Sequence, residues 1–79
     1  MDEGKAEAAG AELHNVQLAV TAAMAEAKAI TASAVDNTPL NTEYTIGGVS
    51  PWSYLIDGYE ALVYGPYYVD IDGYVDTTP

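Results

Sequence analysis

The sequence predicts an α+β fold in which a long N-terminal α-helix packs on a small antiparallel β-sheet. Three observations carry that prediction. Twelve of the thirteen Ala lie between Ala6 and Ala34 and all seven Tyr between Tyr44 and Tyr74, so the chain changes near residue 36 from helix-forming to strand-forming composition. Leu13, Val16, Val20, Met24, Ala27 and Ile30 recur at spacings of three and four, which lays one apolar stripe along a helix. Asp72-Gly73, between two Tyr- and Val-containing runs, is a strong short-range hairpin signal. At 79 residues the chain is one small domain, 1–79, with a helical part and a strand-rich part at about 43–77.

The helix is predicted over 2–35. Ala, Glu, Leu, Gln, Met and Lys dominate there and lose little entropy in a helix. Asp2 is the candidate N-cap, and Asp2, Glu3 and Glu7 sit at the positive end of the helix dipole. Gly4 and Gly10 each weaken the first turns by ~1 kcal/mol. Asp36-Asn37-Thr38-Pro39 is the stop signal, because a residue before Pro avoids the α region. Such a helix is ~50 Å long, so its polar N-terminal end should project beyond the rest of the domain. Ala11, His14, Leu18, Ala22, Ala25 and Ala29 lie mostly away from the stripe. They are either exposed residues chosen for propensity or a second, small-residue face that packs on neighbouring copies.

Beyond Leu40 the pattern becomes strand-like. Glu43–Ile46 is a short β-type run ended by Gly47-Gly48, and Tyr59–Tyr64 is another, closed by Gly65-Pro66. Tyr67–Ile71 and Tyr74–Asp76 flank Asp72-Gly73; a two-residue turn there sets Val69 opposite Asp76, an unclean alternation. Ser50-Pro51-Trp52-Ser53 reads as an irregular loop whose Trp52 packs onto the helix stripe as the largest apolar anchor. The expected core is thus Leu13, Val16, Val20, Met24, Ala27, Ile30 and Trp52.

Charge and size exclude several functions. Twelve acids against Lys5 and Lys28 give a net charge of −10, and no Lys or Arg follows Asp36. A chain so poor in cations does not neutralise phosphates, so no nucleic-acid partner is expected. Anionic membrane surfaces are likewise disfavoured. No apolar run of ~18 residues spans a bilayer and no basic n-region precedes an apolar one, so no membrane insertion by this chain and no export signal are expected. Cys is absent, which removes disulfides and thiolate metal sites. A core this small rarely supplies more than ~3–5 kcal/mol, which points to partner chains or a bound cation as support.

Catalytic patterns are missing. His14 is the only His, with no second ligand at metal spacing. Ser50 and Ser53 lack a base–orienter pair, no nucleophile elbow occurs, and Gly47-Gly48 is a turn rather than a phosphate loop. The expectation is a non-enzyme without an obligate cofactor. Asp70, Asp72 and Asp76 form the one ligand-like cluster: Asp70 and Asp72 share a strand face, and hard cations such as Ca²⁺ take several oxygens. A structural calcium ion and a solvated hairpin tip are the two readings. The Tyr-rich half is either ordinary half-buried sheet packing or a subunit-contact surface.

Met1 to Ala27, and above all Ala-Glu-Leu-His-Asn-Val-Gln-Leu-Ala-Val over 11–20, resembles the second half of the long N-terminal helix in bacterial type IV pilins. The Tyr-Tyr-Val-Asp-Ile-Asp-Gly-Tyr-Val ending is similar to the last strands of short pilins. The resemblance covers roughly residues 1–35 and, more loosely, 59–76. It implies a pilin-like fold and a structural subunit of an extracellular type IV pilus, exported and displayed at the cell surface. There the headpiece faces outward and copies of the chain stack through their helices. The hydrophobic half-helix and the Cys pair of many pilins are not in these residues. A truncated pilin and a split pilin, whose apolar helix is a separate short chain, both fit. On this reading Ala11, His14, Leu18, Ala22, Ala25 and Ala29 contact neighbouring subunits. The alternatives are a pseudopilin of a type II-like secretion system and a small acidic inhibitor or nucleic-acid mimic.

Overall fold

The computed structural model describes residues 3–32 and 38–77, with the backbone alone for 3–7. It is a small α+β fold measuring 40 × 25 × 18 Å. Helix α1 (Glu3–Ala27) lies against three two-residue strands, β1 (Thr38–Pro39), β2 (Tyr68–Val69) and β3 (Val75–Asp76), in an antiparallel sheet of order β1-β2-β3. Two short 3₁₀ turns, Pro51–Tyr54 and Tyr59–Ala61, lie between β1 and β2.

Helix α1 stops well before the expected end. Lys28 adopts the left-handed conformation at φ 55°. Its N–H donates to the Ala25 carbonyl at 3.2 Å, and the Ala29 N–H donates to the Met24 carbonyl at 2.9 Å. These are the two bonds of a Schellman motif, the usual closure of a helix by one left-handed residue. A Lys there costs about 1 kcal/mol relative to Gly, and tertiary bonds hold the chain in that course. The Ala32 N–H donates to the Ile71 carbonyl at 3.0 Å, and the Tyr44 hydroxyl donates to the Ala32 carbonyl. Ile30 is therefore off the helical phase and 93% exposed, a correction to its expected place in the core. At ~1.5 Å per residue the helix is ~37 Å long rather than ~50 Å. Its first residue packed on the core is Leu13, so the turns around Ala8–Ala11 lie beyond the core. Asp2 and residues 33–35 fall outside the described residues.

The strand half also differs in detail. Glu43–Ile46 forms no strand; Ile46 makes an isolated bridge with Val49 around Gly47-Gly48. Tyr59–Tyr64 is a 3₁₀ turn and irregular chain instead of a strand. Thr38–Pro39, expected as a helix stop, is β1, paired Thr38 to Val69 and Pro39 to Tyr68. Trp52 and Pro51 lie buried in a 3₁₀ turn that starts with Pro, a residue pre-set for the first helical position.

The hairpin closes one residue wider than expected. Asp70 pairs with Tyr74 through the Asp70 N–H and the Tyr74 carbonyl at 3.0 Å, and the Gly73 N–H returns to the Asp70 carbonyl at 3.0 Å. This three-residue loop has Gly73 at φ 91°, as such loops require. The register becomes Val69 to Val75 and Tyr68 to Asp76. Buried Val69 thus faces an apolar partner and Asp76 is released to solvent, which removes the conflict that a two-residue turn creates.

The core is one cluster built from Val16, Val20 and Ala23 of α1 together with Ala32, Leu40, Tyr44, Ile46, Trp52, Tyr67 and Val69. Leu13, Met24 and Ala27 pack on its margin, so all expected core residues except Ile30 reach it. The Trp52 and Tyr59 rings meet edge-on at 4.7 Å between centroids, and Trp52 Nε1 donates to the Asn41 carbonyl at 2.7 Å. Gln17 joins helix to hairpin. Its Nε2 donates to the Gly73 carbonyl and its Oε1 accepts from the Val75 N–H, both at 2.8 Å. Among the described residues no buried side-chain nitrogen or oxygen lacks a hydrogen bond, as a small core requires.

Candidate functional site

The helix face beside the core face carries two carboxylates that fasten the irregular chain to it. Glu12 accepts from the Val63 N–H at 2.9 Å, the Tyr64 N–H at 2.9 Å and the Tyr67 hydroxyl at 2.5 Å. Burial by itself would raise the Glu12 pKa; the Tyr67 hydroxyl and the two N–H groups outweigh it and leave the carboxyl below its ordinary value. Burial and the Glu12 bond together push the Tyr67 phenol upward. Fourteen positions along the helix, about 21 Å, the Tyr54 hydroxyl donates to Glu26 Oε1, and that bond raises the Tyr54 pKa.

Between these fastenings the 55–62 segment stands away from α1 and leaves an open groove of about 660 Å³. Ala11, Leu18 and Ala22 form the helix wall; Leu55, Ile56 and Leu62 form the opposite one. Leu18 is 53% exposed and Ile56 is fully exposed at the lip. Asp57 also borders the groove, and no Lys or Arg is among the residues lining it.

The residues expected at a subunit interface separate into three groups. Ala11, Leu18 and Ala22 share the groove wall. His14 and Ala25 are exposed and do not line it. Ala29 lies past the helix end and packs on the core, a correction to its expected outward place. Of the far wall, 54–62, the 59–62 part reads in sequence as strand through its Tyr and Leu, and 54–58 carries no element of its own. Gly58, at φ 76°, was the available signal that the chain turns there.

The carboxylates of the hairpin serve the hairpin. Asp70 Oδ1 accepts the Asp72 and Tyr74 N–H groups, both at 2.9 Å. Among the described residues no group of three or more His, Cys, Asp or Glu is placed to hold a metal ion, so Asp70, Asp72 and Asp76 do not converge as a calcium site would require. Ser53 Oγ donates to the Ser50 carbonyl at 2.7 Å within their turn. Tyr44, pushed up to about 12 by burial, is a structural hydroxyl on Ala32.

No protein-family model, curated protein or solved structure matches the chain. Among the described residues no helix is long and apolar enough to cross a membrane.

Proposed function

We propose that this chain is the headpiece of a type IV pilin-like protein, a structural subunit of an extracellular filament. The observation that carries the reading is the division of α1 into two apolar faces. One, from Leu13 to Ala27, is covered by the chain's own sheet and turns. The other, Ala11, Leu18 and Ala22, stays open along the groove. A filament subunit needs that division, since one helix must hold its own domain and also meet a neighbour. The pilin-like run at 11–20 lies on these same turns. The exposed Tyr74 and Ile71, with the acidic hairpin tip, would then face outward from the filament.

The test is direct localisation. Filaments sheared from cells that make the chain are purified, identified by mass spectrometry and labelled with gold-conjugated antibody against the folded protein. The chain is expected along the whole filament. Filaments that lack it, or a chain found only inside the cell, would overturn the proposal.

A further inference from the structure

The groove combines three properties that together select an occupant. Its helix wall runs from Ala8 to Ala22, about 21 Å, or nearly four turns. Small side chains along that wall let a second helix approach to within ~8 Å of the α1 axis. Its charged groups are carboxylates: Glu12 is engaged by the 63–67 segment, but Asp57 makes no hydrogen bond or ion pair to any described residue. Asn15, polar and exposed, also lines it. The whole chain adds a field of net charge −10.

We infer that the groove docks a cationic amphipathic helix supplied by a different protein chain. The occupant would lay a face of Ala- and Leu-sized residues between Leu18 and Ile56 and set Lys or Arg against Asp57, the helix-in-groove mode of recognition. A second copy of this chain is a poor occupant. It offers only Lys5 and Lys28 among twelve acids, and like-charge apposition is costly. Charge complementarity therefore decides between the two. Within the proposed filament reading, the neighbour that meets the Ala11, Leu18 and Ala22 face is then a different chain and not a copy, and docking in solution is tested without any filament.

The probe is a synthetic helical peptide of about 18 residues, long enough to hold a helix on binding, with Ala and Leu on one face and Arg on its flanks. A second peptide carries Glu in place of Arg. Each is titrated into ¹⁵N-labelled protein at about 0.15 M salt, where diffuse attraction beyond ~8 Å is screened. The Arg peptide should give saturable shifts at Ala11, Leu18, Ala22, Ile56 and Asp57, and the Glu peptide should bind at least about tenfold more weakly.

Leu18→Glu and Ile56→Glu separate docking from unspecific attraction. Both positions are exposed, so both variants should fold, as thermal melts will verify. Each adds negative charge while spoiling the apolar wall, and each should weaken the Arg peptide by about tenfold. Equal or tighter binding by both variants would show diffuse attraction and overturn the inference. So would shifts away from the groove, equal affinity for the two peptides, or no saturation. Self-association by sedimentation that both variants abolish would assign the groove to a second copy and also overturn it.

Discussion

Replacing Glu12 with Gln tests the fastening that closes one end of the groove. The carboxylate accepts from two backbone N–H groups and one hydroxyl, and its acceptors bind 63–67 to a helix more than fifty positions earlier. Hydrogen bonds to a charged group contribute ~1.5–3 kcal/mol each when shielded. The Val63 bond is exposed and the others are partly buried, so about 2 kcal/mol in total is the reasonable figure. In a domain of this size that lowers Tm by about 8–16 °C. The amide of Gln also presents N–H where two N–H donors converge, so it cannot replace both acceptors.

The pH dependence fixes the cause. Glu12 is depressed in the folded state, so its contribution is fully present above the unfolded carboxyl pKa, about 4.3. It is lost as pH falls through the still lower folded value. Melts followed by far-ultraviolet circular dichroism and by Trp52 fluorescence, from neutral pH down to about pH 3, should therefore show the parent–variant gap narrowing in acid. A Glu12→Gln protein that melts within about 2 °C of the parent at neutral pH, or a gap that stays constant with pH, would refute the reasoning.

Three further outcomes are expected. Lys28→Gly should raise stability by about 0.5–1 kcal/mol, because Gly adopts the φ of 55° without strain; chemical denaturation should shift the midpoint upward. Gly47→Ala should cost about 2 kcal/mol or more, since φ is 56° and the added Cβ would meet Ala27 Cβ at 2.9 Å; Gly48→Ala, with open space, should cost less in the same assay. Millimolar Ca²⁺ should leave the thermal midpoint within about 1 °C, because the Asp70 carboxylate is already occupied by its own loop; a rise of several degrees would restore the calcium reading.

The core-facing side of α1 was legible because Val16 and Val20 obey a period that composition reinforces. Its end was not. Propensity stays high through Ala34, and the stop depends on Ala32 being held by Ile71 and Tyr44, partners that no local pattern announces. Trp52 was legible as an anchor by size alone. The Glu43–Ile46 and Tyr59–Tyr64 runs misled because Tyr and Ile favour any half-buried site, strand or not; Tyr44 and Tyr59 spend their hydroxyls on the Ala32 and Leu40 carbonyls instead of on a sheet face. Of the groove, the helix wall followed from spacing. Glu12, one acid among twelve, carried no signal, since its partners are set by the fold.

The Gln17 amide has a consequence for how copies of this molecule can join. It occupies the outward carbonyl of Gly73 and the outward N–H of Val75, capping the free border of β3. On the other border Pro39 has no N–H to offer a newcomer. Both flanks are thus poor templates for strand addition, the route by which sheet proteins fuse into unregulated aggregates. Any ordered polymer of this chain must then be stitched through side-chain surfaces and helices, leaving each small sheet private to its own molecule.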